Sequence, residues 1–239
     1  VTSGRAGEAA RVAAAVSGLV EQVFATVDRV HEAVLRSVER SGLPATRWVL
    51  PEGVQLLLRA PGQLAVGLGL VVAPRAEEGL PLRLEWWQAD PDGGEVHTLE
   101  PDLRPSSLGY YDYTTAPWFD VPRRTGRRHV FGPHVDVHGT GRYVLTLTEP
   151  VLAGCGFVGV AGADVPVRRF ETSVLRRLGG AVAPFLLLND EDRVVLSTSP
   201  GWLVGDLLAA DAVPEGPVAG IGGTPWRLVL VDARSRLDA

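Results

Sequence analysis

Side chains able to do chemistry concentrate between Tyr110 and Asp164, a stretch holding all four tyrosines, three of the five histidines and the single cysteine of this 239-residue chain. His129, His134 and His138, with Asp136 between the last two, have the residue types of a divalent-metal site. On a strand, His134, Asp136 and His138 would share one face. Pro133 and Gly139 bracket that run as a sheet rim, where polar side chains meet solvent, so no metal and no cofactor is expected. Cys155 lies between Gly154 and Gly156 with no partner to lower its pKa, and it reads as a small buried hydrophobe. No Ser occupies a G-x-S-x-G elbow, no carboxylate pair stands out, and the glycines of 156–162 lack the phosphate-binding pattern. Catalysis is not expected.

A pocket for a small polar ligand suits these residues better. Tyr110, Tyr111, Tyr113, Trp118 and Phe119 offer flat apolar walls with hydroxyl handles. Asp164 follows a glycine-rich run, so its carboxylate at a strand end could accept bonds from an ammonium or hydroxyl. The sequence Asp-Val-Pro before a helix is also an ordinary N-terminal cap. Both roles stay open here.

The elements that must position these residues follow from periodicity. Gly7–Arg40 is the strongest helix signal, with Val16, Leu19, Val20, Val23, Phe24, Val27, Val30, Val34, Leu35 and Val38 recurring at threes and fours. Ser41-Gly42-Leu43-Pro44 stops it. Its near-heptad spacing allows a homodimer through this helix, or simple cover for the chain's own sheet. Glu52–Arg59 reads as a helical turn and Gln63–Ala73 as a strand whose Gly67 and Gly69 invite close backbone approach. Pro81–Leu99 is a hairpin around Asp90–Gly94, with Leu82, Leu84 and Trp86 on one face and Arg83, Glu85 and Trp87 on the other. A short helix at Pro117–Arg124 would be capped by Thr114 or Thr115. A second hairpin joins Val130–Val135 to Arg142–Leu147, Gly156–Ala161 is a strand, and Val167–Leu178 a helix. A third hairpin turns at Asn189–Asp192. A short helical piece at Gly205–Ala210, a Gly/Pro-rich link at Val213–Pro225 and a last strand at Trp226–Val231 complete the chain. The reading is α+β, with a long N-terminal helix at 1–41, a sheet body at 42–165 and a smaller helix-plus-β unit at 166–239.

Composition narrows the function classes. Hydrophobic content of 46%, charged content of 21% and a net charge of -5 describe a globular domain without the basic face of a nucleic-acid binder. One cysteine excludes an internal disulfide framework. No run of 18 uninterrupted apolar residues occurs and the start is too polar for a signal peptide, so a cytoplasmic chain is expected, or an extracytoplasmic one if it is the sensor part of a membrane receptor.

Four runs in order, YYDYTTAPWF, HVFGPHVDVHGTGRYVLTLTEPV, GFVGVAGADV and PFLLLNDEDRVVLSTSPG, resemble the Cache family of bacterial sensor domains over residues 60–205. The resemblance implies a PAS-like antiparallel sheet body behind a long helix, small-molecule sensing in signal transduction, and no enzymatic activity. In amino-acid-sensing members a Tyr, an Arg, a Trp and a second Tyr hold the ligand carboxylate, while an Asp and another Tyr hold its amino group. Tyr111, Trp118, Tyr143 and Asp164 match that pattern, but Ala116 stands at the Arg position and Phe119 at the second Tyr. With Tyr113 and Phe119 kept as aromatic walls, the expected contacts are Tyr111, Tyr113, Trp118, Phe119, Tyr143 and Asp164. The implied ligand is an amine, an amino-acid-like molecule or a small carboxylate held by another arginine such as Arg123, Arg124 or Arg142. The alternatives are a structural or protein-interaction domain without a small ligand, and a small-molecule enzyme.

Overall fold

The computed structural model describes residues 2–41, 49–74, 81–90, 95–139, 141–154, 156–180 and 182–232. Cys155, Thr140, Gly42–Pro44 and most of the first hairpin's turn lie outside the described residues. The chain divides into two compact units, one of Val1–Gln22, Gly132–His134 and Val167–Ala239, the other of Val23–Phe131 and Val135–Pro166.

Helix α1 (Thr2–Ser41) runs for 40 residues. Its apolar stripe is consumed within the chain, with Val16, Val20, Val23, Phe24, Val27, Val30 and Val34 at most 1% exposed. Gly4–Ser41 is long and apolar enough to cross a membrane, as the core helix of a globular domain also can be, and its valine stripe is buried within the chain.

The second unit is built on a six-stranded antiparallel sheet in the order β3-β2-β1-β6-β5-β4. Its strands are β1 (Gly67–Val72), β2 (Arg83–Ala89), β3 (Val96–Thr98), β4 (His129–Val135), β5 (Tyr143–Ala153) and β6 (Gly156–Pro166). The last two reach 11 residues each, well past the ends expected at Leu147 and Ala161. Asp164 is consequently inside β6, opposite Gly67 of β1 and Thr146 of β5. On the face shared by Glu85 and Glu149, β5 meets α1, where His31 Nδ1 lies 2.5 Å from Glu149 Oε1. Buried Glu85 accepts the amide protons of Val49 and Leu50 at 2.7–2.9 Å, which ties the approach to the sheet onto β2 and replaces the water its carboxylate has lost.

Over the other face lies α2 (Pro117–Thr125), which starts with Pro in its first turn. Its N-cap is Ala116, without a side-chain bond, and not Thr114 or Thr115. Those threonines belong to a 3-10 turn, Tyr113–Thr115, which Asp112 caps by accepting from the Thr114 amide. The Tyr-rich segment thus folds as its own turn before α2 begins.

The first unit holds a four-stranded sheet of β7 (Phe185–Leu188), β8 (Val194–Ser197), β9 (Val218–Gly220) and β10 (Arg227–Leu230), in the order β8-β7-β10-β9. Helix α3 (Val167–Leu178) precedes it with buried Val167, Phe170, Val174 and Leu178 at helical spacing. The acidic turn is organised by Asn189, whose Oδ1 accepts from the amides of Glu191 and Arg193. Gly205–Ala210 is not helical. Leu207 bridges to Arg193 as extended chain, and the 3-10 turn comes later, at Ala210–Ala212. The Gly/Pro-rich link contributes a short strand of its own, β9.

Candidate functional site

The strand register writes one face of the six-stranded sheet row by row. Gln88, Gly67, Asp164 and Thr146 stand side by side across β2, β1, β6 and β5. Trp86, Gly69, Gly162 and Thr148 form the next row, and Leu84, Val71, Val160 and Pro150 the one after. Side chains two apart on neighbouring strands share a face, so these groups form one surface. The third row is apolar and packs with Tyr113, Trp118 and Phe119. The first two rows are polar and glycine-rich.

Glycine is required here by the neighbours. A Cβ at Gly69 would lie 2.1 Å from the Glu85 carbonyl oxygen and 2.8 Å from Trp86 Cα, and one at Gly162 would meet Thr148 Cγ2 at 2.8 Å and Trp86 Cη2 at 3.3 Å. At Gly67 it would fall 2.7 Å from Trp86 Nε1 and 3.2 Å from Asp164 Oδ2. The glycines clear a bed for the Trp86 indole, and the indole nitrogen and the Asp164 carboxylate both close on the Gly67 position.

Asp164 is buried within the first row. It is 7% exposed, and its Oδ1 accepts a 2.7 Å bond from the Thr146 hydroxyl. That carboxylate serves the sheet face rather than capping α3. Burial, then the charge of Asp136, pushes its pKa up to about 7, against a smaller lowering by the Thr146 bond. Without a cation beside it, a carboxylate in that state is held largely protonated below pH 7. Tyr111 stands close by, since burial first and then the charges of Asp136 and Asp164 raise its hydroxyl pKa well above the ordinary range. Its ring stacks on His138, with centroids 3.9 Å apart and planes at 15°.

The other sequence-nominated residues divide. Trp118 is buried beside Trp86 in one cluster, and its carbonyl oxygen accepts the Thr148 hydroxyl at 2.7 Å, which fastens α2 to the sheet. Tyr113 is fully buried, donates its hydroxyl to the Val72 carbonyl at 2.6 Å and accepts from the Arg83 amide at 2.8 Å. It pins β1 to β2, with no hydroxyl left over for a ligand. Phe119 is core, edge-on to Phe157 at 5.7 Å. Tyr143 falls in step with Leu145 and Leu147, out of step with Thr146 and Asp164, and so joins the opposite face. Arg123 and Arg124 both bond Asp120 at 2.6 Å on the exposed side of α2.

Sequence reasoning passed over Trp86, Gln88, Thr146 and, as a partner of Asp164, Asp136. Only the strand pairing brings these to one place. Among the described residues no group of three or more His, Cys, Asp or Glu could hold a metal ion. A separate open concavity of about 750 Å³, lined by Thr114, Phe119, Asp120, Arg123 and Phe157 among others, includes neither Asp164 nor Tyr111. In its lining, Arg123 is bonded to Asp120 and the Thr114 hydroxyl to Asp112.

No family model matches the sequence, and no curated protein matches it. Solved structures do. The extracellular domain of a candidate histidine kinase is 16% identical with a TM-score of 0.63, covering 95% of this chain and 92% of its own. The ligand-binding domain of the Pseudomonas aeruginosa amino-acid chemoreceptor PctC, in complex with GABA, is 19% identical with a TM-score of 0.57, covering 96% and 98%. That of the Pseudomonas fluorescens chemoreceptor CtaA, in complex with L-valine, is 13% identical with a TM-score of 0.61, covering 98% of both chains. At these identities the likeness is one of fold. This chain has the α+β fold of chemoreceptor and sensor-kinase ligand-binding domains, the fold that its resemblance to Cache domains implies.

Proposed function

We propose that this chain is the sensing domain of a bacterial signalling protein and that the face around Asp164 binds a small cationic amine. The observation that carries the reading is the buried Asp164 carboxylate, which accepts from Thr146 through one oxygen while the other stands over Gly67, where the Trp86 indole nitrogen is the nearest further polar atom. An ammonium group would relieve the burial cost of Asp164 and the repulsion from Asp136 together. Tyr111 supplies an aromatic wall, and Trp118 holds α2 in place above the sheet. Ala116 removes the arginine with which related sensors clamp a carboxylate, which favours amines over plain amino acids. Amino-acid complexes among the structural neighbours, with GABA and L-valine, support an amine-bearing ligand class.

Signalling would leave through α1, because its second half packs on the reverse of the same sheet through His31 and Glu149. A homodimer through α1 would use the side opposite the buried valine stripe. The extracellular domain of a histidine kinase among the neighbours supports an extracytoplasmic position. A second reading, a structural domain with no small ligand, has one observation in its favour, that Tyr113, Trp118 and Phe119 are core residues.

Calorimetric titration of a panel of small amines and amino acids into the wild type and Asp164→Ala separates the two. The sensor reading predicts binding of amine-bearing members to the wild type and its loss in a variant that keeps its circular dichroism spectrum. Equal affinity in both proteins would contradict the role of Asp164, and no binding by any member would favour the structural reading.

A further inference from the structure

Asp164 accounts for a cation, but two other groups in its surroundings have no task in that account. Trp86 Nε1 and Gln88 Nε2 are buried donors, on residues 4% and 5% exposed, and neither has a hydrogen-bond partner among the described residues. Leaving a buried donor unpaired costs about 1–3 kcal/mol, and such groups are rare in native interiors. These two are adjacent same-face positions on β2, and both stand against the Asp164 row. Gln88 is directly opposite Gly67, itself opposite Asp164, and the indole nitrogen of Trp86 is the atom nearest to the Gly67 position. Bare glycine at 67 leaves no side chain between the Gln88 and Asp164 positions of that row.

Trp226, in the four-stranded sheet's unit, provides an internal comparison. Its Nε1 is likewise buried without a partner among the described residues, and its ring lies edge-on to Phe170 at 6.2 Å. One unpaired indole packed on an aromatic ring is a packing compromise. Two unpaired donors beside a buried carboxylate and a threonine hydroxyl make a set.

We infer that Trp86 and Gln88 form a donor subsite of the Asp164 pocket, which takes a neutral oxygen acceptor, a carbonyl or hydroxyl, carried next to the ligand's amine. This rests on the reading of Asp164 as the amine site and adds what the rest of the ligand must offer. Neutral oxygen is favoured over carboxylate because both donors are uncharged amide or indole N–H groups and two carboxylates, Asp164 and Asp136, stand near. The class is therefore that of amino amides and amino alcohols rather than of free amino acids.

The test is calorimetric titration of the full chain with three probes of one skeleton, L-valinamide, L-valine and isobutylamine. They present an amine with a neutral carbonyl, with a carboxylate and with neither. The wild type should bind L-valinamide about tenfold more tightly than isobutylamine, and L-valine more weakly than L-valinamide. Trp86→Phe and Gln88→Met should each reduce the advantage of the amide over the plain amine about threefold or more. Both should leave isobutylamine affinity within about twofold of wild type, a readout that general damage to the pocket would not spare. Gln88→Met serves where Trp86→Phe fails to fold, since it keeps the side chain's length and replaces only the amide. An unchanged preference for the amide in both variants, or tighter binding of L-valine, overturns the subsite while leaving Asp164 as the amine site. Absence of binding by all three probes overturns the amine site and the subsite with it.

Discussion

The two sheets of this molecule bury their faces in different ways. In the four-stranded sheet, Phe185–Leu188, Val194–Leu196 and Leu228–Leu230 are fully or almost fully buried and uniformly apolar, closing around Trp202 and Leu208. Its one buried amide, Asn189, has its oxygen bonded to two turn amides and its nitrogen to the Gly132 carbonyl. In the six-stranded sheet six polar residues are buried, namely Glu85, Gln88, Thr146, Thr148, Glu149 and Asp164. Those facing α1 and the approach to the sheet, Glu85 and Glu149, have amide or imidazole partners. On the α2 side, Gln88 Nε2, in the same cross-strand row as Asp164, and Trp86 Nε1 have no partner among the described residues. A sheet that only has to be stable resembles the first. A buried surface left polar and partly unpaired gives up stability that an apolar face would have, and that is the expected signature of a place meant for something else to bind.

Substitutions can break this contrast or sharpen it. The largest effect belongs to the filled sheet, where Leu187→Ala should cost about 2–5 kcal/mol in chemical denaturation through lost burial and a cavity. Affinity for an amine should be unchanged in that variant. A loss of binding with intact structure would erase the division between the sheets. Asp164→Asn should do the opposite, raising the stability of the ligand-free protein at pH 8 by on the order of 2 kcal/mol, because a buried charge disappears while an acceptor for Thr146 remains. The sign follows from the raised pKa. Between about pH 4 and pH 7 the folded state holds a proton that the unfolded chain has lost, so this group's favourable contribution is complete at low pH and fades as pH rises through 7. The stabilising effect of Asp164→Asn should accordingly vanish near pH 4, which denaturation curves at the two pH values would show. Destabilisation at pH 8 would mean that Asp164 is structural. A smaller effect attends Tyr113→Phe, which removes the hydroxyl pinning β1 to β2 and should cost about 1–2 kcal/mol, measured as a shifted denaturation midpoint with amine affinity retained.

Much of the frame was legible in the residues themselves. The valine stripe of α1 reads directly as a buried helix face, α3 begins and ends where its four-residue spacing says, and the alternation in β2 puts Trp86 and Glu85 on opposite faces as expected. Gly67 and Gly69 announced a close backbone approach, which the Glu85 carbonyl and the Trp86 indole make. Asp164 could be nominated from its glycine-rich approach, although β6 runs through it, continuing past the end expected at Ala161 to Pro166. What the sequence conceals is register. Nothing local says that Gln88, Gly67, Asp164 and Thr146 form one row, since that row joins residues more than 90 positions apart through four strands. Register also decided against Tyr143, a single step out of phase with Thr146. Tyr113 and Phe119 were nominated as aromatic walls because composition cannot tell a ring that lines a cavity from one that fills a core.

The central claim is that an ionised Asp164 pairs with a ligand cation, and its most direct test is the pH dependence of binding. Isobutylamine, which stays protonated throughout, would be titrated calorimetrically into wild type and Asp164→Asn at pH 6 and pH 8. With the carboxyl titrating at about 7, wild-type affinity should rise about tenfold between the two pH values. In Asp164→Asn it should be weak and flat. Equal affinity in the two proteins, or a wild-type affinity that does not change with pH, would contradict it.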